Sequence, residues 1–63
     1  MRWTDTYEIV DALQEWHPDI DPAQVRFTDL IEWVMALPGF DDTRDRCGER
    51  ILEAIQMTWI DEQ

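Results

Sequence analysis

The stretch Thr28-Asp29-Leu30-Ile31-Glu32-Trp33-Val34-Met35-Ala36-Leu37-Pro38-Gly39 reads as one amphipathic helix with a marked start and a marked stop. Thr28 suits an N-cap, and Asp29 sits on the positive end of the helix dipole. Leu30, Trp33, Val34 and Leu37 recur at helical spacing and share a face. Pro38-Gly39 ends the element. Ile31 and Met35 lie one turn apart, off that face, as a second layer of core or an apolar pair turned to a partner.

Outward from this helix the same pattern recurs twice. From about Asp5 to Trp16, Ile9, Leu13 and Trp16 form an apolar stripe with Val10 and Ala12 at its edges. Asp5 followed by Glu8 fits a capping box. Glu8, Asp11 and Glu15 make a carboxylate ridge on the other side, and His17-Pro18 ends the helix. His17, at a helix end, is explained by the dipole there. A last helix begins between Asp45 and Glu49 and runs to about Ile60, with Ile51, Leu52, Ile55 and Trp59 inward and Glu49 and Glu53 outward. Asp21-Pro22 matches an N-cap followed by a first helical position, so a short turn through Ala23 and Gln24 is expected. Val25-Arg26-Phe27 reads as extended. All four tryptophans, Trp3, Trp16, Trp33 and Trp59, are expected in the core. The fold class is mainly α: one domain over residues 1–63, with three helices around one small core and at most a minimal extended segment.

Size and charge narrow the function. A chain of 63 residues buries only roughly 60% of the surface its unfolded form exposes, so no deep substrate pocket can be cut into its core. Hydrophobic residues make up 44% of it, too many for a disordered acidic tail. Fifteen Asp and Glu face five Arg and no Lys, for a net charge of −10. Nucleic acid and anionic membrane surfaces would repel such a chain. Cations and basic protein surfaces would attract it, and like charge favours a monomer. No stretch approaches the ~20 apolar residues of a membrane span. With no apolar signal region after Met1-Arg2-Trp3 and one cysteine, the expected compartment is the cytosol.

Catalysis is not expected. The chain has one His, one Cys, two Gly and no Lys. It therefore offers no nucleophile–base–orienter set and no phosphate-binding loop. Thiolate metal sites want about four Cys or His ligands. Carboxylates suit hard cations, and they group as Asp5, Glu8, Asp11 and Glu15, then Asp29 with Glu32, then Asp41 with Asp42.

Trp3-Thr4-Asp5, Asp21-Pro22, Val25-Arg26-Phe27-Thr28-Asp29-Leu30, Trp33, Phe40-Asp41-Asp42 and Glu49 through Ile51-Leu52-Glu53-Ala54-Ile55 to Trp59 resemble the IscX family of bacterial iron–sulphur cluster assembly. The likeness runs from Trp3 to Glu62. It implies a modified winged-helix fold without DNA binding. It also implies a regulator or adaptor that binds the pyridoxal-phosphate-dependent cysteine desulfurase, competes there with frataxin-like protein and ferredoxin, and binds iron weakly. Carried onto this chain, Asp5, Glu8, Asp29, Glu32, Asp41 and Asp42 become the candidate residues for both iron and partner. The alternative role is a dedicated iron chaperone that donates metal to the cluster scaffold; a third is a sulphur acceptor through Cys47. Arg26 is expected to form a structural ion pair. Cys47-Gly48 departs from the Ser-Asn-like cap usual in the family.

Overall fold

Each of the three periodic segments is a helix in the computed structural model, which describes residues 1–63. Helix α1 spans Thr6–Trp16, α2 spans Phe27–Met35 and α3 spans Glu49–Asp61. Two single turns of 3-10 helix, Pro22–Gln24 and Arg44–Arg46, punctuate the connections, and there is no β-strand. The mainly α expectation holds.

The core is built where the stripes meet. Ile9, Val10 and Leu13 come from α1, Leu30 and Val34 from α2, and Leu52, Ile55 and Trp59 from α3. Trp3 and Leu37 close it from the connecting segments. Helices α1 and α3 make the largest contact in the molecule. Fully burying side chains of this size stabilises by about 1.5–3 kcal/mol each before the entropy of ordering the chain is set against it.

Several details differ from the sequence reading, each for a local reason. Trp16 is 60% exposed, at the final position of α1 where the helix runs out. Trp33 is only half-buried and stacks on His17, ring centroids 4.4 Å apart and planes inclined by 18°. His17 is thus held by an aromatic face. Of the four tryptophans, Trp3 and Trp59 are core. Helix α2 begins at Phe27 with Arg26 as its N-cap, so Thr28 lies inside the first turn, and of Val25-Arg26-Phe27 only Val25 and Arg26 are extended. Arg26 is exposed and forms no ion pair.

The expected capping box at α1 does not form. Asp5 is the N-cap residue, but its side chain makes no bond to the helix start. Its Oδ2 accepts the backbone N–H of Arg2 at 2.8 Å. Where sequence chemistry is strictly local, the expectation holds. Asp21 accepts from the N–H of Ala23 at 3.0 Å ahead of Pro22. Gly39 adopts φ +81°, a conformation that costs glycine little, and ends the chain's passage out of α2. Gln56 on α3 donates to the Pro22 carbonyl at 2.9 Å and ties the first 3-10 turn to the last helix.

Candidate functional site

Three of the six candidate acids lie on helices. Glu8 is in the first turn of α1, Asp29 is in the first turn of α2, and Glu32 follows one turn later. All three are exposed, as are Asp11 and Glu15 on the rest of the α1 ridge. At the two helix starts the carboxylates complement the dipole, a modest and salt-sensitive stabilisation. None of the three has a protein cation within ion-pair distance, because the one ion pair in the molecule joins Arg46 to Asp42.

The other three candidates, Asp5, Asp41 and Asp42, gather around the first residues of the chain. The Met1 ammonium donates to the Gly39 carbonyl at 2.6 Å, and the Asp41 N–H donates to the Met1 carbonyl at 2.7 Å. The Trp3 N–H donates to Asp42 Oδ2 at 3.2 Å, and its indole N–H donates to the Thr43 carbonyl at 2.8 Å. The Trp3 ring also meets Phe40 edge-on at 5.0 Å. Residues 1–5 are therefore clasped to the loop after α2, and the buried Trp3 ring fastens that clasp to the core.

Asp42 is the most committed of the six. Its side chain is only 8% exposed. Oδ1 accepts the Thr43 N–H at 2.8 Å and stands 3.8 Å from Arg46 Nε. The Thr43 N–H is the main reason its carboxyl lies below the ordinary value; desolvation opposes this, while the Trp3 N–H, Arg46 and Arg2 reinforce it. The structure thus gives Asp42 a role in holding the clasp. Asp41 offers its backbone to the clasp and leaves its side chain exposed. The six acids do not form one cluster, and nowhere do three His, Cys, Asp or Glu side chains converge as metal ligands would.

Charge is divided between two regions. Residues 1–5 and 39–50, the clasp and the start of α3, hold five acids and four of the five arginines. The rest of the chain holds ten acids against Arg26 alone. The helical part therefore carries nearly all of the net charge, uncompensated. Linear spacing does not reveal this division, since the near-neutral region forms only when segments some 40 residues apart are brought together by the bonds of Trp3 to Asp42 and Thr43.

Sequence reasoning missed the clasp. The one signal for it was the pairing of a non-periodic Trp3 with an Asp42-Thr43 turn, neither of which a helix explains. It also missed a shallow recess where α1 and α3 end, lined by residues more than 40 positions apart.

A family model described as iron–sulphur cluster assembly matches residues 1–63. A curated relative, an uncharacterized protein of Pseudomonas aeruginosa, is 49% identical over 63 residues, which is 100% of this chain and 96% of the relative. The clasp gives a physical reason for part of the matching pattern: Trp3 touches both Phe40 and Asp42, and Trp59 belongs to the same core. With the whole chain matched, and with the motifs from Trp3 to Trp59 in place, the protein belongs to the iron–sulphur cluster assembly family, the IscX family.

Proposed function

We propose that the protein is a non-catalytic adaptor that regulates iron–sulphur cluster assembly by docking, through its exposed carboxylates, on a basic surface of cysteine desulfurase. The observation that carries this reading is the uncompensated charge of the helical part: ten acids, one arginine and no ion pair. Such a surface steers encounter with a positive partner and sets its register. Frataxin-like protein and ferredoxin would compete for the same basic surface. Among the candidate residues, Glu8, Asp29, Glu32 and Asp41 expose side chains that the fold does not use, and we assign them the docking role. Asp5 and Asp42 hold the clasp and contribute mainly through the field they add.

Iron is cargo in this reading. Hard cations take oxygen ligands, commonly six or more. No three protein ligands converge here. Iron held by one or two carboxylates and completed by water would be bound weakly, which supports an adaptor over a dedicated iron chaperone.

Charge reversal at Asp29, Glu32 and Asp41, with binding to the desulfurase measured at several salt concentrations, tests the reading. Affinity should fall, and the salt dependence should flatten. Unchanged affinity and unchanged salt dependence would reject this surface. A parallel titration of the isolated chain with ferrous and ferric iron separates the two roles, because tight stoichiometric uptake would favour the chaperone.

A further inference from the structure

At the end of the molecule away from the clasp, α1 and α3 finish side by side around a shallow recess of about 280 Å3, lined by Gln14, His17, Pro18, Trp59, Glu62 and Gln63. The last carbonyls of a helix have no donor within it and need partners from elsewhere. Pro18 occupies the position that would serve the Gln14 carbonyl, and proline has no N–H. The N–H of His17 goes to Leu13, so Gln14 is left without a backbone donor. On α3, the Glu62 N–H goes to Thr58 at 3.0 Å and the Gln63 N–H to Ile60 at 3.3 Å, which leaves the Trp59 carbonyl in the same condition. Two helix dipoles thus bring their negative ends to one place, and neither helix carries a basic residue in its last turn. Glu62 adds a carboxylate with no ion-pair partner. His17 is already stacked on Trp33. The recess has acceptors and negative charge in excess, and no charged donor of its own in contact with them.

We infer that this recess receives a guanidinium group, the side chain of an arginine on a protein partner. A guanidinium brings five N–H donors in one plane together with a permanent positive charge. The lining residues offer the undonated carbonyls of Gln14 and Trp59, the side-chain carboxylate of Glu62 and the side-chain amides of Gln14 and Gln63, a spread that a planar fork meets better than a compact ammonium. A bare divalent ion would need converging side-chain carboxylates, and the only one lining the recess is Glu62. None of the four acids assigned to docking lines it, so the inference holds whichever protein supplies the arginine.

The test is a titration of the isotopically labelled full chain with N-acetyl-arginine amide, followed by amide resonances, with N-acetyl-lysine amide at matched ionic strength as the second probe. Shifts should concentrate at Gln14, His17, Trp59, Glu62 and Gln63, and be larger with arginine. Glu62→Gln should weaken the arginine response about two- to fivefold, as expected for one partly exposed charge contact. Glu53→Gln, at an exposed position in the middle of α3, should leave it unchanged. Shifts spread over all the acidic faces, equal responses to the two probes, or insensitivity to Glu62→Gln would each overturn the inference.

Discussion

The carboxylate of Asp42 accepts the backbone N–H of Trp3 at 3.2 Å across 39 positions of sequence. This bond joins the first residues of the chain to the loop after α2, and it assigns one of the acids most suggestive of metal or partner binding to the fold. An acidic protein need not use every acid for its partners. Here the near-neutral region is structural, and the helical part carries the field.

Replacing Asp42 by Asn should loosen the clasp, since the amide keeps one acceptor but loses its charge and the attraction of Arg46. We expect the melting midpoint at pH 7 to fall by roughly 4–8 °C, the order that one lost charge-assisted bond produces in a domain of this size. The pH dependence has a definite sign. The folded-state carboxyl titrates below the ordinary 3.8. Its contribution is therefore present above that value and disappears as pH falls through the folded one. Melting curves for the two proteins should converge as the pH falls below 3.8 and through the lowered folded-state value; a gap that stays constant throughout the acid range would refute the assignment.

Trp3→Ala should abolish stable folding. The ring is 1% exposed, packs on Phe40 and donates to Thr43. Its truncation costs about 3–5 kcal/mol, comparable to the whole stability of about 3–5 kcal/mol that so small a core supplies. Trp3→Phe keeps most of the apolar contact, loses the indole donor and should fold with a lowered midpoint. Circular dichroism in urea distinguishes the three proteins, and a cooperative, wild-type-like transition for Trp3→Ala would contradict this account of the clasp.

Trp16 and Trp59 should behave oppositely despite belonging to similar stripes. Trp16→Ala, at a 60% exposed site, should change stability by less than about 0.5 kcal/mol. Trp59→Ala, at a 1% exposed site, should cost about 3–5 kcal/mol and, like Trp3→Ala, leave no cooperative transition. Equal losses in urea denaturation would mean that Trp16 is covered in solution.

His17→Ala removes the face on which Trp33 stacks. Aromatic pairs of this kind are worth about 0.5–1.5 kcal/mol beyond their burial. The expected loss in urea denaturation is of that order, accompanied by a change in Trp33 fluorescence. His17→Phe should restore both, and failure of that rescue would argue for a polar role of the imidazole.

The elements were legible because their causes are local. Ile9 and Leu13, Leu30 and Val34, and Leu52 and Ile55 lie at helical spacing, and each pair is buried as that spacing requires. Asp21 before Pro22 shaped its own turn. Reading failed where two local preferences competed with a distant partner. Asp5 could have capped α1, yet its carboxylate turned back to Arg2, in the segment that Trp3 pins to Thr43. Trp16 extended a stripe that runs past the end of the neighbouring surface, which periodicity cannot reveal.

Composition and periodicity by themselves determined a small acidic three-helix domain, because charge count and helical repeat do not depend on how the chain closes. Only the tertiary structure decided which acids stay free. It folded the four arginines and five acids of residues 1–5 and 39–50 into one near-neutral clasp, and left ten acids against Arg26 on the remainder. The physical reason is that a carboxylate's availability is set by the donors around it, and for Asp42 the decisive long-range donor, the N–H of Trp3, lies 39 residues away.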